Sequence, residues 1–233
     1  MKRRQSGFTL IEIAIVLVII GLLLGGVLKG QELINSAKVK NLANDFRNTP
    51  VYIYGYQDKY KALPGDDRLA DVHLQGLNPS CAGGGGCPVA ASITSVGNGL
   101  IEGYWNSTTQ SDESFLFWQH VRLAGFAAGS TDITAKDYLP KNAVGGSIGI
   151  TNSLAANSPI YTAAPGPQIK GTYVVCSDNI PGRFALQLDA MLDDGNPATG
   201  SMMVTNVGTQ SGGPATATGS IVPDQTYLVC MGF

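Results

Sequence analysis

Sixteen of the 21 residues from Phe8 to Leu28 (FTLIEIAIVLVIIGLLLGGVL) are apolar. As a helix rising about 1.5 Å per residue, the run reaches roughly 31 Å, the thickness of one bilayer core. It predicts a membrane segment broken by a single carboxylate, Glu12. A carboxylate near the end of a membrane helix costs a few kcal/mol at minimum, so such groups are kept for a partner or a function. From Gln31 to Phe46 the pattern changes. Leu33, Ile34, Ala37, Leu42, Ala43 and Phe46 fall at helical spacings, with Lys38, Lys40, Asp45 and Arg47 between them. That is one apolar stripe on a solvated helix. Gly25, Gly26 and Gly30 each weaken the helix by about 1 kcal/mol relative to Ala, and Pro50 is expected to kink or end it. Tyrosines at 52, 54, 56 and 60 follow, expected to pack with their hydroxyls wet. Pro64-Gly65-Asp66-Asp67 reads as the turn that closes the stem. A helix from Phe8 to about Lys61 would be on the order of 80 Å long, a rod carrying a head.

Beyond the turn the elements are short. Ser111-Asp112-Glu113 leads a helical segment with an apolar face of Phe115, Trp118, Val121 and Leu123, and Gly125 stops it. Strands are expected at Ser147–Thr151, Thr172–Ser177, Met202–Thr205 and Gln225–Met231. Phe184–Leu192 reads as a short helix or strand, and Asp193-Asp194-Gly195-Asn196-Pro197 as a turn. Strands joined by turns beside a long helix predict an α+β fold with a small antiparallel sheet. The expected organisation is residues 1–7 as a leader, 8–62 as a long helix whose part 8–28 spans the membrane, and 63–233 as a globular head.

Composition sharpens this division. The 233 residues are 44% apolar and 14% charged, and the head holds 24 of the 30 glycines and 11 of the 12 prolines, so it should be rich in loops. Lys2, Arg3 and Arg4 precede the apolar run, which orients that end toward the cytoplasm and the head toward the far side of the membrane. A secretory signal is the competing reading. It fits poorly, because the run exceeds the usual 7–15 residues and no small-residue cleavage pattern closes it. Without the three leader cations the charge is −5. The stem carries 6 positive and 4 negative residues, the head 6 and 13. An acidic head repels phosphates, which argues against direct DNA binding.

The stretch Gly7-Phe8-Thr9-Leu10-Ile11-Glu12, after a short basic leader and before a Gly-punctuated apolar helix, resembles the class III leader junction of type IV prepilins and type II secretion pseudopilins. The resemblance covers about the first 55 residues. It implies a pilin-like fold with a long N-terminal helix packed on a sheet-containing head. It also implies cleavage between Gly7 and Phe8 by a membrane aspartyl prepilin peptidase, followed by N-methylation of Phe8. Glu12 would then pair with the Phe8 amino group of a neighbouring subunit in the filament. The apolar stripe is expected to pack against the protein's own head, and the other reading is that its anchor-proximal part packs on neighbours in the filament. The proline usual in pilin anchors, expected near Lys29, is absent, and the Gly cluster is read as its replacement for local melting.

Four cysteines outside an inner membrane read as two disulfides. Three pairings exist. Cys81 and Cys87 flank the flexible tetraglycine Gly83–Gly86 and are paired on that ground, leaving Cys176 with Cys230. A disulfide near the C-terminus resembles type IV pilins, whereas pseudopilins usually lack one. The C-x5-C spacing is not a zinc pattern. No nucleophile elbow or histidine cluster marks an enzyme. His73 and His120 are the available neutral-pH bases, and His120 sits inside the amphipathic segment, where a structural role is expected. The chain is read as a non-enzyme with no cofactor, save calcium as a candidate ligand of Asp189, Asp193, Asp194 and Asn196, which offer oxygens around a loop. Some major pseudopilins hold calcium in a C-terminal loop, with a spacing this chain does not reproduce.

The expected function is that of a structural subunit of a type IV pilus-like filament. Its partners would be further copies, other pilins, the peptidase, and an inner-membrane assembly platform with its ATPase. A type II secretion pseudopilin is the alternative. A membrane-tethered periplasmic binding module using a prepilin anchor is an alternative of another class. The subunit would sit in the inner membrane, head in the periplasm, and after assembly in an extracellular pilus or a periplasmic pseudopilus.

Overall fold

A computed structural model of the chain describes residues 10–74, 97–154, 158–161, 169–206 and 213–233. Two compact units divide it, residues 1–40 and 41–233. One helix, α1 (Leu10–Tyr60), contributes to both. Its first part carries the apolar run with no neighbour over it. Leu10 is 93% exposed, and the leucines, isoleucines and valines from Ile11 to Leu28 are exposed throughout. The helix is long and apolar enough to cross a membrane. It stays helical through Gly25, Gly26 and Gly30, so the expected local melting is not seen in the single chain.

In the second unit α1 turns one face inward. Leu42, Phe46, Thr49, Ile53 and Tyr56 are buried at alternating spacings of four and three, the repeat that keeps side chains on one side of a helix. The apolar stripe therefore divides: Leu42, Ala43 and Phe46 are buried, while Leu33 and Ile34 are 62% and 58% exposed. Pro50 does not end the helix, which runs on to Tyr60. An internal proline costs about 3 kcal/mol, and burial of Ile53 and Tyr56 beyond it gives the continuation enough apolar area to offset that cost. Lys61, at φ +57°, breaks the helix at the residue after Tyr60.

Two shorter helices follow, α2 (Ala70–His73) and α3 (Glu113–Leu123). Asp112 stands at the start of α3, and Gly125, at φ +85°, follows its end. Every residue of α3 is buried, not one face as its apolar spacing suggests. Its polar residues are bonded inward. Arg122 donates to the carbonyls of Ala128, Ser130 and Tyr138, and Gln119 to that of Thr131. These bonds fasten the loop after α3 onto the helix.

The sheet forms from β1 (Ile148–Asn152), β3 (Tyr173–Pro181), β4 (Met202–Asn206) and β6 (Thr226–Gly232) in the order β1-β3-β6-β4, with every neighbour antiparallel. Two-residue strands β2 (Ile160–Tyr161) and β5 (Gly213–Pro214) pair in parallel beside it. On β3 and β6, Val174, Cys176, Leu228 and Cys230 point to one face and Val175, Ser177 and Val229 to the other, and all are buried. Both faces of the centre are covered. Trp105 packs on the cysteine face, so closely that a Cβ at Gly149 would stand 1.7 Å from the Trp105 carbonyl oxygen. The Phe184–Leu192 segment resolves as helix α4 (Gly182–Leu192), which packs against β3, β4 and β6 with Phe184, Ala185 and Leu188 buried. The chain is α+β, a long N-terminal helix with a head built on a small antiparallel sheet.

Candidate functional site

Gly7 and Phe8 lie outside the described residues, as do Cys81 and Cys87. Glu12 is placed in the first described turn of α1, among exposed apolar side chains on a helix that is otherwise free of charge up to Lys29. Cys176 and Cys230 stand directly opposite one another on β3 and β6 and are joined by a disulfide that closes a 54-residue separation. It ties the two central strands of the sheet together.

The turn after α1 is a buried polar junction. Asp66 and Asp67, read from the sequence as turn residues, are also buried, at 3% and 1% exposed. Asp66 accepts hydrogen bonds from the backbone N–H groups of Gly97, Asn98 and Gly99. Asp67 accepts from the Tyr56 hydroxyl at 2.7 Å and the Leu69 N–H at 2.9 Å, and its Oδ2 is 2.7 Å from Nδ1 of His73. Tyr56 thus has a fully buried hydroxyl, not a wet one, and burial followed by its bond to Asp67 raises its pKa. The reason is the carboxylate 11 residues away, which accepts the proton that water would otherwise take. His120 is fully buried and accepts from the Gly65 N–H at 2.9 Å, the structural role expected of it. Glu113, also fully buried, accepts from the Glu102 N–H at 2.8 Å.

A cleft of about 730 Å³ opens beside this junction, with Tyr60, Lys61, Arg68 and His73 in its wall. Its described lining holds no Ser, Thr or Cys that the Asp67 and His73 pair could activate. The two aspartates are engaged by the chain's own donors, so the junction works as a clasp between the end of α1, the start of α3 and the 97–99 turn.

At the C-terminal end of α4 the structure brings three of the four candidate calcium residues together. Carboxylate oxygens of Asp189, Asp193 and Asp194 lie within 4.8 Å of one another. Asp193 Oδ2 accepts from the Met202 N–H, and Asp194 accepts from the Asn196 N–H and the Thr199 hydroxyl, each at 2.8 Å. Asn196 serves the loop: its Oδ1 faces the Ala198 N–H at 3.3 Å and the Thr218 hydroxyl at 3.4 Å. Asp189 differs from both neighbours. It is wholly buried, and neither of its oxygens has a partner in hydrogen-bond geometry, the Gly195 N–H being a donor that approaches without meeting it. Burial, then the charges of Asp194 and Asp193, push its pKa up to about 7, with only the Gly195 N–H acting the other way. The set is all oxygen, which suits a hard cation such as calcium and not zinc.

Residues 2–28 match the family model described as the prokaryotic N-terminal methylation motif. No curated protein and no solved structure matches the chain.

Proposed function

Because residues 2–28 carry the N-terminal methylation motif that marks the class III leader of type IV pilins and pseudopilins, we propose that the chain is a structural subunit of a type IV pilus-like filament. It is cut between Gly7 and Phe8, methylated on Phe8, and polymerised through its N-terminal helix. Processing by a prepilin peptidase and assembly with pilins follow from the motif. The observation that carries the reading is the helix after the cut: from Leu10 to Leu28 its apolar side chains are uncovered, in a chain whose head is well packed. Exposed area of that size is stable in a bilayer before assembly and against other helices afterwards, and in water it would aggregate.

Glu12 gives the polymer its register. Inside an apolar core a carboxylate and an amino group attract strongly, yet desolvation offsets most of the gain, so the pair selects the alignment of neighbours more than it stabilises the filament. Glu12→Val should therefore leave membrane insertion intact and strongly reduce surface filaments, counted by electron microscopy after shearing. Normal filament yield from that variant would defeat the proposal. The Cys176–Cys230 disulfide supports the pilus over the secretion pseudopilus. Deleting the gene should then remove surface filaments with secretion of enzymes unchanged, and the opposite pattern would select the pseudopilus. The head lies on the periplasmic side before assembly, the orientation that Lys2, Arg3 and Arg4 favour.

A further inference from the structure

The geometry points to a divalent cation site, of the calcium type, at the C-terminal end of α4, with Asp189, Asp193 and Asp194 as its ligands. This inference stands apart from the filament reading, since it concerns the head of a single chain.

Three observations converge on it. Asp189 is 0% exposed and neither of its oxygens has a partner in hydrogen-bond geometry. Burying a carboxyl group in that way is costly, and structures avoid it unless a proton or a cation completes the site. Asp189 also sits in the last turn of α4, where the helix dipole adds negative potential, and that turn contains no basic residue to answer it. Lys170 is the cation whose charge reaches the group, and it acts on Asp194. Finally, the three carboxylates already converge. Their oxygens fall within 4.8 Å of one another, a spread that an ion about 2.4 Å from each can bridge.

The hydrogen bonds around the cluster leave it able to bind. Met202, Asn196 and Thr199 hold Asp193 and Asp194 in orientation, while Asp193 Oδ1, both oxygens of Asp189 and the second lone pair on each Asp194 oxygen are left for the ion. A divalent ion would reduce three negative charges to one, with Lys170 nearby to balance the remainder. Water or main-chain carbonyls would fill the other positions that calcium takes. The ion would join the end of α4 to the loop before β4, the strand at the edge of the sheet. That loop would then be ordered by the metal.

The test uses the full chain in detergent, stripped with EDTA and then titrated with calcium or with magnesium, with thermal unfolding and terbium luminescence as readouts. Calcium should raise the melting temperature saturably, magnesium less, and terbium should bind and be displaced by calcium. Asp189→Asn keeps the shape and removes the buried charge. It should melt at the same temperature as the stripped protein or higher, and lose the calcium response by at least tenfold in affinity. Asp224→Asn, on the exposed Arg183 pair, should respond to calcium as the native chain does. Identical melting in EDTA and in calcium, or a full calcium response in Asp189→Asn, would overturn the site. Asp189→Asn that melts lower than the stripped native chain would show that the carboxyl is there for packing, and would overturn it also.

Discussion

Burial holds the Glu113 carboxyl well above its ordinary 4.5, at about 8, with the Glu102 N–H opposing the shift and the nearby Asp66 and Glu102 carboxylates adding to it. The folded chain therefore keeps this proton through a range where the unfolded chain has lost it. Its contribution to stability is full below about pH 4.5 and is lost as the pH rises through about 8. Asp45, raised by burial to about 6, acts in the same direction over a narrower window. Glu113→Gln retains an acceptor for the Glu102 N–H and removes the titration. At pH 8 it should melt at least about 3 °C above the native chain, the shift that roughly 1 kcal/mol gives in a domain of this size, and the gap should close toward pH 5. Parallel melting profiles across that interval would refute the assignment. Neither Glu113 nor the Asp66 and Asp67 clasp was legible in the sequence. Their partners, such as Gly97 to Gly99 for Asp66 and Tyr56 for Asp67, are supplied by the fold, and a local pattern of Asp beside Gly describes turns equally well. His120 was legible as a structural residue because it lies inside the amphipathic segment.

Elements with a strong local signature were read nearly to their ends. β1, β4 and β6 each lie within one residue of their expected bounds, because β-branched runs between turn residues leave little choice. β3 runs four residues further than its run of apolar residues, since the ladder shifts register between Ser177 and Ile180, with Asn179 at φ +56°. α4 was ambiguous in nine residues and is settled by packing against three strands. The pair β2 and β5 had no signal at all, being two residues each with partners 53 positions apart. Among these elements the disulfide acts on the centre of the sheet. Chain-entropy arithmetic for a loop of this length gives about 4 kcal/mol, so replacing Cys176 and Cys230 together by Ala should lower the melting temperature by roughly 10 °C. A loss below a few degrees would mean that the two strands are held by their ladder alone.

Over the whole molecule, the second compact unit begins at Asn41, inside α1. Leu42, Ala43, Phe46, Ile53 and Tyr56, most of the buried apolar residues of the helix, follow that point, and Val39 alone of its buried apolar residues precedes it. A chain starting at Asn41 should fold in an oxidising compartment, unfold cooperatively and remain in solution without detergent. One starting at residue 63 should not, since it removes the buried face of α1 while leaving the surface it covers. Equal solubility and equal unfolding cooperativity of the two would contradict this account of the core.

β6 occupies the middle of the sheet, between β3 and β4, although it is the last strand along the chain to be synthesised. The ribosome and the translocation machinery must therefore deliver residue 226 and those after it before either neighbour gains its ladder on that side. Until then β3 and β4 both present open edges, the template on which strands of other chains pair. A chain broken off before residue 226 cannot close its sheet or form the Cys176–Cys230 bond, so completeness of synthesis becomes a condition for an assembly-competent head.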